Sequence, residues 1–181
     1  MQKLSMEQLN RLSVDDYKKV EKTPVVVLLD NVRSALNVGS VFRTCDAFRI
    51  EKIILCGISA CPPNNEIRKT AIGAELSVDW QYEKNTIDAV NKLKKDGYEI
   101  VAVEQAVNSI PLNKLCFNSN SKVALVFGNE VNGVNQEIMD ICHRCVEIPQ
   151  FGTKHSLNVS VSAGIVIWEV FKLLNSSLSN N

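Results

Sequence analysis

Nowhere do these 181 residues run apolar for the about 20 positions that a membrane-spanning helix requires. The longest apolar stretch, residues 159–170, is interrupted by Ser160, Ser162, Gly164 and Glu169. The amino terminus, MQKLSMEQLNRLSVDDYKK, is charged and amphipathic and lacks the apolar centre of a secretory signal. A cytoplasmic protein with no membrane partner is therefore expected. Net charge is missing as well, because Lys+Arg (20) equals Asp+Glu (20). That excludes nucleic-acid binding by bulk charge and leaves RNA contact to a local patch, or to one assembled across two subunits. Two nucleotide fingerprints are absent. No G-x-G-x-x-G occurs, and the G-x-x-x-x-G of residues 128–133 is not followed by Lys-Ser/Thr. A small α/β enzyme for ATP or nicotinamide cofactors thereby loses its main support. The 6 cysteines include one C-x-x-C, Cys142 and Cys145, but no second pair to complete a four-ligand zinc site. They read as buried free thiols in a reducing compartment, and no metal is expected.

What is present is an ordinary globular composition: 45% hydrophobic and 22% charged, in a length that fits one domain. Residues 25–29 are a short apolar run of the kind that forms a buried parallel strand, and residues 52–56, 98–103 and 122–127 read as further strands. Val78, Trp80 and Tyr82 alternate as a further strand, and Val146 and Ile148 form another, stopped by Pro149. Between these lie helical patterns. Residues 1–22 look helical and peripheral, with Ser13 as a possible N-cap. Val41, Phe42, Cys45 and Phe48 trace one apolar helix face; residues 66–76 continue a helix with Gly73 as a weak point. Residues 86–95 are amphipathic and closed by Asp96-Gly97, and residues 135–141 form a short helix. Residues 107–121 look irregular, and residues 176–181 read as a frayed tail. About six strands alternating with helices predict an α/β fold, a mainly parallel sheet flanked by helices.

In such a sheet the loops following the strands emerge at one, carboxyl, edge. Three of them are polar: residues 30–43, 128–133 and 149–158. The last is mostly small or polar (Gly152, Thr153, Lys154, His155, Ser156) and leads into a helix carrying Asn158, Ser160 and Ser162. Its free N–H groups, hydroxyls and cations suit a polar or anionic ligand at a helix start. The plain alternative is an ordinary strand–loop–helix connection with Ser156 as N-cap. Glu130 reads either as a site acid or as a turn acid capping the next helix. Arg43, flanked by Phe42 and Cys45, is expected near the buried flank, holding an anion or pairing with Asp46 or Glu130.

The three loops also spell a family pattern. NVGSVFRTCDAF (residues 37–48), FGNEVNGV (127–134) and IPQFGTKHSLNVSV (148–161) resemble, in order, the three signatures of the SpoU/TrmH branch of the SPOUT methyltransferases. The resemblance covers roughly residues 25–174. It implies transfer of a methyl group from S-adenosylmethionine to a ribose 2′-hydroxyl of RNA. It also implies a carboxyl-terminal deep trefoil knot, an exception to unknotted topology. Homodimerisation through the knot region and C-terminal helix is implied too, with each site finished by the partner. Val159, Ile165, Val166, Trp168 and Phe171 of that helix exceed what one core face needs.

Carried over by position, Arg43 matches the catalytic arginine, Asn37 the residue orienting it, Glu130 the acid, and Ser156 and Asn158 the polar pair. Gly128, Ile148, Ser156 and Leu157 match positions lining the methyl-donor pocket, with Val103 and Glu104 as the remaining wall. Gln150-Phe151 departs mildly from the family, where Met is frequent after the proline. Because a guanidinium resists deprotonation, Arg43 is expected to fix a phosphate and stabilise the developing alkoxide. Arg68, Lys69, Lys154 and His155 are candidate RNA contacts, although each Lys taken alone reads first as an ordinary solvated charge and His155 alone carries no assignment. Only about 24 residues (1–24, a helical arm) precede the methyltransferase domain (25–174), which resembles compact tRNA-modifying members; residues 175–181 are the tail. A tRNA substrate is favoured. An rRNA substrate and a catalytically silent RNA-binding dimeric module are the alternatives.

Overall fold

The computed structural model describes residues 2–5, 7–118 and 120–175. Seven strands form one sheet in which every pairing is parallel: β1 (Thr23–Asp30), β2 (Ile50–Cys56), β3 (Asp79–Glu83), β4 (Glu99–Val103), β5 (Ile110–Pro111), β6 (Val123–Phe127) and β7 (Arg144–Glu147). Their order across the sheet is β3-β2-β1-β6-β4-β7-β5. Thus β6 lies between β1 and β4, and β7 between β4 and β5, although both follow those strands in the chain. The helices are α1 (Val14–Lys19), α2 (Ala35–Ala47), α3 (Asn65–Ala71), α4 (Ala74–Ser77), α5 (Thr86–Lys95), α6 (Gln136–Ile141) and α7 (Val159–Leu174). The expected parallel α/β architecture is present.

Residues 25–29 of β1, 53–56 of β2 and all of β6 are apolar because both faces of the sheet are covered there. Val25, Val27 and Leu29 pack with Tyr17 of α1, Val41 and Phe42 of α2, Ile67 of α3 and Val166 and Ile167 of α7. Val26 and Leu28 face the other way, onto Val90 and Leu93 of α5 and Ile138 of α6. Each fully buried side chain of this kind contributes roughly 1.5–3 kcal/mol. Register aligns the strand ends: Leu29 lies opposite Phe127, Phe127 opposite Val103, and Val103 opposite Val146. Four successive strands therefore release their loops along one line of the carboxyl edge.

Several local expectations need correction. Among the described residues of 1–22 only Val14–Lys19 is helical, capped by the Ser13 hydroxyl accepting from the Asp16 N–H; Leu4, Leu9 and Leu12 are exposed and have no core to bury against. The helix anticipated over 66–76 breaks at Ile72, which takes a left-handed conformation (φ 53°), so α3 and α4 are separate. Residues 107–121 hold β5 and a 3-10 turn, Leu112–Lys114. Helix α7 begins at Val159 with Asn158, not Ser156, as its cap. Val166 lies in the core, so the apolar excess of α7 is carried by Val161, Ile165 and Trp168. Trp168 joins Phe48 and Phe171 in an aromatic cluster with centroids 5.2–6.0 Å apart. Among the cysteines only Cys45 and Cys56 are buried, and Cys116 is exposed. Burial pushes the Cys56 thiol up to about 12. The tail, residues 176–181, lies outside the described residues. Among the described residues no helix is long and apolar enough to cross a membrane.

Candidate functional site

Where the four aligned strand ends release their loops lies a cavity of about 700 Å³. Its apolar walls come from the strand ends themselves, Val103, Phe127 and Val146, with Ile148 and Leu157 beyond them. The polar wall is the 128–133 loop. Asn129 and Gly133 exchange both backbone hydrogen bonds (3.0 and 2.9 Å), and the Asn129 side chain accepts from the N–H of Val131 at 2.8 Å. This turn requires glycine at 128: a Cβ there would sit 2.0 Å from the Gly133 carbonyl carbon. Gly133 has φ +66°, and a Cβ would meet the Glu104 carboxylate. Glu104 in turn accepts from the N–H groups of Val134 (3.0 Å) and Gln105 (2.8 Å), tying the end of β4 to the loop after β6.

A relay of side chains joins the three polar loops. The Glu130 carboxylate accepts from the N–H groups of Arg33 (3.0 Å) and Ser34 (3.1 Å) and from the Asn37 amide (3.1 Å). The Asn37 carbonyl oxygen accepts from the Asn158 amide at 3.1 Å. The Asn158 oxygen caps α7 by accepting from the Ser160 N–H at 2.9 Å. Burial pushes the Glu130 carboxyl up, but the hydrogen bonds from Arg33, Ser34 and Asn37 outweigh it and leave its pKa lowered. The acid thus caps the approach to α2, ahead of it in the chain, and not α6, which is capped by Asn135.

Val103, Glu104, Gly128, Glu130, Ile148, Ser156, Leu157, Asn158 and His155 all border this cavity. Asn37 reaches it through Asn158 and Glu130. Arg43 does not. Six residues beyond Asn37, it lies about 9 Å further along α2 and about 240° round its axis. It is exposed, contrary to the buried flank expected for it, and makes no ion pair with Asp46 or Glu130. It borders a separate shallow groove with Ser40, Thr44, Phe48, Lys69 and Thr70. Arg68 and Lys69 stand on α3, and Lys69 pairs with Glu66 at 2.5 Å. Lys154 is exposed in the 149–158 loop. Sequence reasoning passed over two contributors. Asn129 builds the turn and also donates to the Asn31 carbonyl at 2.7 Å. Gln105 donates to the His155 carbonyl at 2.6 Å, spanning the cavity between the loops after β4 and β7. An Asn next to a loop glycine was a legible signal for the first; nothing local marked the second.

Comparison with known proteins matches the chain to a family. Residues 24–168 fit the model of the SpoU rRNA Methylase family. The chain is 32% identical over 162 residues to an uncharacterized tRNA/rRNA methyltransferase of Borreliella burgdorferi, covering 90% of this chain and 69% of the relative. It is 30% identical to the 23S rRNA (guanosine-2′-O-)-methyltransferase RlmB of Neisseria meningitidis serogroup B, covering 88% of this chain and 63% of that protein. Among solved structures, the A. aeolicus TrmH/SpoU tRNA modifying enzyme superposes with a TM-score of 0.79 at 27% identity, over 91% of this chain and 81% of that one. An AdoMet-bound rRNA methyltransferase from Sinorhizobium meliloti superposes at 0.76 with 28% identity, over 86% and 59%.

Proposed function

The chain belongs to the SpoU rRNA Methylase family, whose methyl donor is S-adenosylmethionine, and from that premise we propose that it methylates a ribose 2′-hydroxyl of RNA, in tRNA. The observation carrying the reading is the convergence of three distant loops on one cavity, fixed by the Glu130–Asn37–Asn158 relay. The cavity fits the donor. Its volume lies in the range of small-molecule sites, its apolar strand ends offer walls to a planar base, and the carboxylate of Glu104 among its lining residues complements a cationic sulfonium. When bound, the donor supplies an activated methyl group.

The rest falls to the chain. Val103, Glu104, Gly128, Ile148, Ser156 and Leu157 hold the donor, and the relay keeps the loops in place. Glu130, engaged by three donors and lowered in pKa, is an anchor rather than a proton carrier. Arg43 fixes a substrate phosphate and stabilises the alkoxide forming at the ribose oxygen. The proton leaves to phosphate or water. Because Arg43 stands apart from its own chain's cavity, we assign it to the cavity of a partner in a two-fold dimer. The exposed apolar face of α7 (Val161, Ile165, Trp168), beside Phe48 at the end of α2, supports that contact. A trefoil knot in the carboxyl-terminal segment belongs to the same reading and is supported by the insertion of β6 and β7 between strands laid down earlier. Lys154 and His155, with Arg68 and Lys69 across the dimer, are proposed to meet RNA phosphates, which position the substrate without specifying it.

The likeness to a tRNA modifying enzyme at a TM-score of 0.79 supports tRNA; the 30% identity to a 23S rRNA enzyme favours rRNA as the second reading. Mass spectrometry of ribose methylation in both RNAs from a deletion strain decides between them. A lost 2′-O-methyl mark in tRNA is expected, whereas a mark lost from rRNA alone rejects tRNA. The shared site is tested with heterodimers of an Arg43→Ala chain and an Asn158→Ala chain. Each homodimer should be inactive and the heterodimer should regain activity, because one site keeps an intact cavity and the partner's Arg43. A heterodimer as inactive as its parents would place Arg43 in its own chain's site.

A further inference from the structure

Phe151 is 98% exposed, the most open large apolar side chain among the described residues. It belongs to neither core cluster, and among the described residues it has no aromatic neighbour. The exposed Trp168, by contrast, is already packed against Phe48 and Phe171. The position of Phe151 is specific. Gln150 before it and His155 after it both border the cavity, and the space around Gly152 is open. On the facing loop Val131, 75% exposed, also borders the cavity.

The chemistry of this loop points to one kind of occupant. Residues 150–158 contain Lys154 and His155 and no carboxylate. A protein partner's apolar core would be met by an apolar surround, but the chain neighbours of Phe151 are the polar or small Gln150, Gly152 and Thr153. A flat aromatic beside a cation three residues away suits a nucleotide, base on ring and phosphate on ammonium. Unstacked RNA bases are held in this way on aromatic side chains. We propose that Phe151 is a stacking platform for a nucleobase of the RNA substrate at the mouth of the methyl-donor cavity, with Lys154 taking an adjoining phosphate. The proposal rests on the RNA methyltransferase reading and adds a positioning residue to it. Phe151 lies outside the donor's walls, so it affects RNA binding and not the donor.

The test is methyl transfer to bulk RNA prepared from cells lacking the protein, comparing wild type with Phe151→Ala, Phe151→Leu and Phe151→Trp. Donor affinity is measured by calorimetry and oligomeric state by sedimentation. Loss of one stacked base should raise the KM for RNA roughly ten- to hundredfold in F151A. F151L, apolar but without a ring face, should be similarly weak, and F151W close to wild type. Donor affinity and oligomeric state should not change. An unaltered RNA KM in F151A overturns the proposal; so does full recovery by F151L, which would show that apolar bulk suffices. An F151A protein that falls apart into monomers reassigns the residue to a protein interface. Failure of the wild type to methylate any RNA is a different result, which removes the functional reading and this proposal with it.

Discussion

Helix α2 carries two motif residues whose surroundings differ. Asn37, in its first turn, is held on both sides, by the Glu130 carboxylate and the Asn158 amide at 3.1 Å each. Arg43, on another face, makes no ion pair among the described residues and borders an open groove. The first arrangement is preorganised before any ligand arrives; such fixed polar groups need no reorganisation when the ligand binds. The second leaves its guanidinium without an ion pair among the described residues. On the proposed reading, donor binding is therefore a property of the single chain, whereas methyl transfer waits on RNA and on a second copy.

The largest effect that sharpens this contrast is expected from Arg43→Ala. Removing a group that stabilises charge only in the transition state lowers kcat by about 10²–10³-fold. Donor affinity, measured by calorimetry, should stay at the wild-type value because Arg43 does not border the cavity. Arg43→Lys keeps the charge but not the planar fork and should recover only part of the loss. Near-full activity in that variant would remove the fork from the mechanism, and weakened donor binding in R43A would erase the distinction between the two faces.

That contrast was only half legible in the sequence. The strands were clear, because doubly covered parallel strands are continuous apolar runs that need no periodicity to be seen. Helix α5 was legible to the residue, since its amphipathic pattern lies between an Asn85 cap and Asp96-Gly97. The convergence of three loops followed from strand order alone. The exposure of Arg43 did not follow from its neighbours. Phe42 and Cys45 lie about 100° and 200° away around the helix and say little about its own face. Ile72 was misread because a β-branched residue rarely enters the left-handed region, so local preference argued for an unbroken helix. The partners of Glu130, Arg33, Ser34 and Asn37, lie 97, 96 and 93 residues earlier, and no local pattern announces a contact of that span.

A smaller effect, confined to the preorganised face, is expected from Gly128→Ala. The new methyl group would lie 2.0 Å from the Gly133 carbonyl carbon and 2.1 Å from the Val134 nitrogen. Both are backbone atoms, so the 128–133 loop has to move. Overpacking of this kind costs about 1–3 kcal/mol, and displacing a cavity wall should weaken donor binding roughly ten- to hundredfold. RNA affinity in the absence of donor should be unchanged. Calorimetry with each ligand separates the two; wild-type donor affinity would show that the turn does not shape the cavity.

Glu130→Gln is expected to have the mildest effect, and its pH dependence tells an anchor from a base. The hydrogen bonds from Arg33, Ser34 and Asn37 leave the folded-state pKa of Glu130 lowered. A lowered folded-state pKa stabilises the fold above the unfolded value of about 4.3, and that contribution disappears as pH falls through the folded value. At pH 7 the amide should therefore cost about 1 kcal/mol, a modest figure because the carboxylate is exposed to solvent. In a chain of this length that corresponds to a melting temperature lower by roughly 2–4 °C. The gap to wild type should narrow as pH falls below the unfolded value and through the lowered folded value, where the wild-type carboxyl also becomes protonated. A general base would behave differently, because its removal would delete a limb of the pH–rate profile. Glu130 is already ionised throughout any assay near neutrality, so the residual activity of E130Q should keep the wild-type profile. A lost acidic limb would make Glu130 a participant in proton transfer and undo its role as the fixed end of the relay.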